Sequence, residues 1–243
     1  MPQFGMGALL VAWTLCGCWS PSPIPAATRQ LVLGVAADWD QSEVQLTLLE
    51  RAPGGAWQPR WRTAGFLGVN GLAWGQGLHG DAAPAGAPLK REGDGRAPAG
   101  AFLIGPGFGT GAAPAGMRWP YRRITSTLRC VDDPKSRHYN LLVDAAATEP
   151  DWSSAEDMLR SDELHRYGLL VGHNPARIPG AGSCIFFHLA DAGATVGCTA
   201  VVQRDLAALL RALDPTARPV YVLLTRKSYR DLAARWGLPA LTP

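Results

Sequence analysis

The chain is poor in charge, and what charge it has is not gathered into patches. Charged residues make up 18% and the formal net charge is +3, with Lys and Arg scattered rather than set in a stripe among aromatics. A nucleic-acid binder carries such a stripe, so that class is set aside. Long apolar runs are also missing. The longest, Gly5 to Trp19, is too short to cross a bilayer but has the size of a signal-peptide core, although no Lys or Arg precedes Arg29. His79, His138, His165 and His173 form no H-x-x-x-H pair and the cysteines no C-x-x-C pair, so no metal is expected, nor any other cofactor.

What is present is glycine and proline, 28 and 20 residues without a fixed period. That composition predicts many turns and short strands, a mostly β class, and 47% hydrophobic residues suffice to bury a core. APAG recurs at Ala83, Ala97 and Ala113 without flanking periodicity, which reads as compositional bias rather than a repeat.

Residues 1–27 read as an export signal. Either the Leu15-Cys16-Gly17-Cys18 segment is a lipoprotein signal giving a lipid anchor to the membrane, or cleavage falls near Pro25-Ala26-Ala27. The body, residues 28–95 followed by 96–243 in one domain, then keeps Cys130, Cys184 and Cys198. An odd count in an oxidising compartment leaves one free thiol. Cys130 and Cys184 form a disulfide or stay as two buried thiols.

Leu31–Ala37 and Val44–Glu50 read as an opening pair of strands. Tyr167–Gly172, Cys184–Leu189 and Val220–Thr225 are apolar runs of strand length. Ser153-Ser154-Ala155-Glu156 has capping-box spacing and predicts a short helix over Asp151–Arg160. Leu206, Leu209, Leu210 and Leu213 predict an amphipathic helix stopped at Asp214-Pro215, and Ser228–Trp236 a last helix ended by Gly237. Trp39, Trp57, Trp61 and Trp74 fit core packing better than glycan stacking.

Gly182 to Val201, GSCIFFHLADAGATVGCTAV, combines a thiol, an imidazole and a glycine turn. A cysteine nucleophile needs a base and donors for an oxyanion, and Gly197, Cys198 and Thr199 offer successive backbone N–H groups. A cysteine and a histidine ten apart are weak evidence by themselves.

More comes from five ordered pieces: GDGRAPAGAFLIGPGFG from Gly93, PYRRIT from Pro120, CVDDPKSRHYNLLVD from Cys130, DWSSAEDM from Asp151, and GSCIFFHL followed by GCTAV. Together these resemble a branch of the L,D-transpeptidase catalytic-domain family. The resemblance implies a β-sandwich with peripheral helices, located in the periplasm or cell envelope and acting on peptidoglycan stem peptides. It implies Cys198 as nucleophile, His188 as base, and the Leu189 carbonyl as orienter of the imidazole. Better-known members read Ser-His-Gly-Cys where this chain has Thr195-Val196-Gly197-Cys198, so the second histidine is absent. Candidate substrate contacts are Tyr139 and Asn140 for a peptide backbone, Asp132 and Asp133 beside Pro134 for an amine of a diamino-acid side chain, Ser183, and Arg96 for a carboxylate, with structural roles weighed against several of them, a turn in the case of the two aspartates. The alternatives are a wall-peptide amidase or carboxypeptidase on the same site, or a wall-binding lipoprotein without turnover.

Overall fold

The computed structural model describes residues 22–80, 82–191 and 193–240. Most of the expected export signal therefore lies outside the described residues. Among them, no helix is long and apolar enough to cross a membrane.

The expected opening strands are β1 (Gln30–Ala36) and β2 (Glu43–Glu50), an antiparallel pair in which alternate β2 residues Val44, Leu46 and Leu48 are buried. Then come β3 (Gln58–Phe66), β4 (Leu72–Trp74), β5 (Ala97–Gly109) and β6 (Tyr121–Arg123). A small separate sheet holds β7 (Leu128–Val131), β8 (Leu142–Asp144) and β9 (Ala155–Asp157). The main sheet resumes with β10 (Gly168–Val171), β11 (Phe186–Leu189), β12 (Thr199–Val201) and β13 (Val220–Thr225). Helices α1 (Gln203–Ala212) and α2 (Arg226–Trp236) lie where the leucine spacing and the closing Gly237 put them, and Gly237 takes φ 66°.

The protein is mostly β. Its large sheet runs β10-β11-β12-β3-β2-β1-β13-β5-β4, and a further β10–β5 pairing closes the path on itself. Residues 28–95 and 96–243 are woven into this sheet together, since β1 pairs with β13 and β3 with β12. Trp74 is buried in the core, and Trp39, Trp57 and Trp61 pack partly buried against it.

β5 is the strand that composition hid. It contains Pro98 and Pro106, residues that normally argue against a central strand. Pro98 lies outside the stretch paired with β13, Gly100 to Leu103. Pro106 sits where three β5 steps from Ile104 to Gly107 oppose two steps on β10, a bulge that removes the need for its missing N–H. Gly100 has φ 141°, and a Cβ there would sit 2.0 Å from the His79 ring.

The helix expected over Asp151–Arg160 does not form. The Asp133 carboxylate accepts both the Ser153 N–H and its hydroxyl at 2.7 Å, so the N–H that Glu156 would accept in a capping box is already taken. Glu156 instead pairs opposite Cys130 in the small sheet.

Candidate active site

Strands β11 and β12 run parallel in a register that sets Phe187 opposite Thr199 and His188 opposite Ala200. Alternate residues share a face, so Phe186, His188 and Ala200 project to the same side. Cys198, immediately before β12, joins them, because its sulfur accepts the Phe186 N–H at 3.2 Å. It also lies 3.6 Å from the Cys184 carbonyl. Cys198 and His188 line one cavity of about 1040 Å3, together with Ser183, Asp132, Glu156 and Arg160.

The imidazole is oriented as expected. His188 Nδ1 lies 2.8 Å from the Leu189 carbonyl, which holds the Nδ1–H tautomer and leaves Nε2 as the basic nitrogen. Burial lowers the His188 pKa, opposed by that backbone bond. Burial also pushes the Cys198 thiol up to about 12, with the Glu156 charge acting in the same direction. At neutral pH both groups are thus uncharged.

Among the described residues Cys198 is the free cysteine, because Cys130 and Cys184 are joined in a disulfide. That bridge packs with Cys198, Phe186, Phe108 and Met158 in a small apolar cluster apart from the main core.

The turn before Cys198 is held by Thr195. Its hydroxyl accepts the Gly197 N–H at 3.0 Å and donates to the Cys198 carbonyl at 2.8 Å. Gly197 needs to be glycine, since its φ is 150° and a Cβ would meet the Arg96 carbonyl at 3.1 Å. Its N–H is spent on Thr195, so it is not an oxyanion donor as the sequence had led one to expect. The Ala190 N–H bonds the Val201 carbonyl at 2.9 Å, and that phase carries the Thr199 N–H into the β11–β12 ladder. The Thr199 hydroxyl is 3.0 Å from Tyr221 Oη. The Cys198 N–H remains as the candidate donor. Val196, two residues before the thiol, is 85% exposed and stands at the rim of the cavity.

Comparison with protein-family models, curated proteins and solved structures returns no match.

Of the expected substrate contacts, only Ser183 lines the cavity, and its hydroxyl donates to Glu92 at 2.7 Å. Tyr139 donates its hydroxyl to the same carboxylate. Asn140 braces the wall, giving its amide N–H groups to the His173 and Asn174 carbonyls and accepting the Cys184 N–H at 2.9 Å. Arg96 bonds the Trp39 and Leu72 carbonyls and Asp40. Asp133 is a turn anchor, and its bonds from Ser153 and Lys135 hold it down to about 2. Its neighbour Asp132 lines the cavity instead, as does Asp191.

Sequence reasoning missed Glu156, Arg160 and His165. Burial raises Glu156 to about 7. Burial likewise lowers His165 to about 4, and its ring centroid is 6.0 Å from that of His188. The DWSSAEDM piece contained Glu156, but read as a helix it gave no reason to aim that residue at the thiol.

Proposed function

We propose that this chain is an exported cysteine acyltransferase of the L,D-transpeptidase type, acting on peptidoglycan stem peptides in the periplasm or cell envelope. The observation that carries this reading is the cavity shared by Cys198 and a His188 whose Nδ1 is fixed 2.8 Å from a backbone carbonyl. His188 Nε2 takes the thiol proton while sulfur attacks the acyl carbon of the stem peptide. The oxyanion forms beside the Cys198 N–H, and its collapse expels the leaving amine, which receives the proton from His188, leaving a thioester on Cys198. An incoming amine then resolves the thioester to a new peptide bond, and water resolves it to a free acid. The Cys130–Cys184 disulfide supports export, because such bonds persist in oxidising compartments.

The test compares wild type with Cys198→Ala on purified muropeptides by mass spectrometry. The wild type is expected to give cross-linked products that the variant does not. Shortened or released peptides in their place would turn the reading to hydrolysis. Equal product from both proteins would end the cysteine mechanism.

A further inference from the structure

The Cys198 sulfur lies against backbone whose conformation has to be imposed. It faces the Cys184 carbonyl at 3.6 Å and accepts the Phe186 N–H at 3.2 Å. Register makes that N–H available. Phe186 stands opposite Leu170 on β10, but the Val171 N–H bonds the Ile185 carbonyl, so bonds to β10 leave from Ile185 and the Phe186 N–H turns toward β12. The sulfur takes it just before the ladder to β12 starts at Phe187 and Thr199.

Two residues upstream of Phe186, Cys184 has φ 54°, in the left-handed region that a non-glycine residue occupies only when its surroundings hold it there. The small sheet supplies two grips. Cys130 on β7 is bonded to the Cys184 sulfur, and Asn140, between β7 and β8, accepts the Cys184 N–H at 2.9 Å. Asn140 is itself fixed. Its backbone N–H bonds the Val131 carbonyl at 2.7 Å, and its side chain donates to the His173 and Asn174 carbonyls at 2.8 and 3.0 Å. One amide thus meets three backbone groups, with an acceptor for one and donors for two. Asn174 is fully buried, and its side chain bonds both backbone groups of Ile178 and the Gly182 carbonyl. With the N–H and the Cβ of Cys184 both tied to the small sheet, the direction of its carbonyl and the path of the chain into Phe186 are set.

We propose that Asn140 is a positioning residue for the thiol: by pinning the Cys184 N–H it keeps the Cys184 carbonyl and the Phe186 N–H against the Cys198 sulfur, and that N–H stabilises the thiolate as the proton leaves. This holds whichever acyl group the sulfur attacks, and so goes beyond the wall-peptide reading. An N–H bonded to a thiolate is held more strongly than one bonded to a neutral thiol, so the contact favours ionisation. Burial and the Glu156 charge push the thiol up, and the Phe186 N–H acts against them.

The experiment uses the full chain and two readouts. The first is the NMR signal of the Phe186 amide proton, which reports its bond to sulfur, with Cys198→Ala marking where the signal lies when that acceptor is gone. Asn140 has φ 60°, which glycine adopts without strain, so Asn140→Gly removes the side chain alone. It is expected to move the signal at least halfway to the Cys198→Ala position. Asn140→Asp keeps an acceptor for the Cys184 N–H and should stay nearer wild type, and Leu48→Ala, a destabilising control in the main core, should leave the signal in place. The second readout is alkylation of Cys198 by iodoacetamide at pH 8, followed by intact mass. Asn140→Gly changes no charge, so Glu156, Lys90 and Arg160, which also act on the thiol, are untouched. Its rate is expected to fall about three- to tenfold. A residue that only held the wall shut would give the opposite sign, because loosening around a buried thiol admits reagent faster. An unmoved Phe186 signal in Asn140→Gly overturns the positioning, and a rate equal to or above wild type overturns the stabilisation of the thiolate. A Phe186 signal at the Cys198→Ala position in Asn140→Asp overturns the part given to the acceptor, and that variant decides the matter where Asn140→Gly does not fold.

Discussion

The two faces of β11 and β12 make opposite use of one short sequence. Phe187 and Leu189 on β11 and Val201 on β12 point into the main core, where the polar contact on this face is the buried Thr199 hydroxyl against Tyr221 Oη. Phe186 and His188, with Cys198 and Ala200, point the other way, toward a smaller cluster that contains a disulfide and a cavity lined by titratable groups. Period-two alternation thus anchors the proposed catalytic pair from behind, with dense packing on one side and the thiol and imidazole on the other. Substitutions on the two faces should separate stability from chemistry.

The largest separation is expected at His188 and Phe187, adjacent residues on opposite faces. His188→Ala should lower turnover about 10²- to 10⁴-fold, as removal of a general base does, and shift the folding free energy by about 1 kcal/mol or less. Phe187→Ala should do the reverse. It is fully buried with its ring 4.7 Å from that of Tyr221, so a loss of about 3–5 kcal/mol in urea unfolding is expected. A comparable stability loss from both would show that the faces are not divided in this way.

Removing the disulfide belongs between these extremes. The Cys130→Ala, Cys184→Ala double variant releases a link across 54 residues, and a loss of about 2–4 kcal/mol is expected in denaturant titration. Because Cys184 faces the nucleophile, the rate of Cys198 alkylation should change as well. A stability loss with an unchanged rate would confine the bridge to folding.

The smallest effect is on pH dependence. Burial holds His173 and His165 near 4 in the folded chain, against 6.5 for an unperturbed histidine, so the unfolded chain binds more protons between these values and stability falls as pH drops through them. Glu156 works against this, since raised from 4.5 to about 7 it binds its proton preferentially in the folded chain and favours the fold as pH falls. Between pH 4.5 and 6.5 these three groups together leave about one net proton taken up on unfolding, or about 1.4 kcal/mol per pH unit, and His188, also lowered by burial, adds to it. Glu156→Gln removes the opposing group and should steepen the loss toward acid in urea midpoints across that range. An unchanged slope would mean that Glu156 titrates as an ordinary surface carboxylate.

Sequence patterning revealed the parts of the fold that depend on local periodicity. The alternation in β2, the leucine spacing in α1, and the apolar runs of β10, β11 and β13 all became the expected elements. β5 was hidden because its prolines are tolerated only through a bulge and a change of partner, both set by distant strands. The capping-box signature failed for a related reason, since Asp133, twenty residues away, claims Ser153. At the site, the Leu189 carbonyl was foreseeable because it is the residue next to His188. The loss of the Gly197 N–H to Thr195 was not, because spacing does not say which donor is already taken. Glu156 was illegible for want of the β7–β9 pairing that carries it to the cavity.

The central claim, that His188 activates Cys198, is met most directly by acylation with a carbapenem followed by peptide mapping. The account predicts one adduct, on the peptide containing Cys198, absent from Cys198→Ala and formed at least about 100-fold more slowly in His188→Ala. An adduct that persists in Cys198→Ala, or forms at the wild-type rate in His188→Ala, would contradict it.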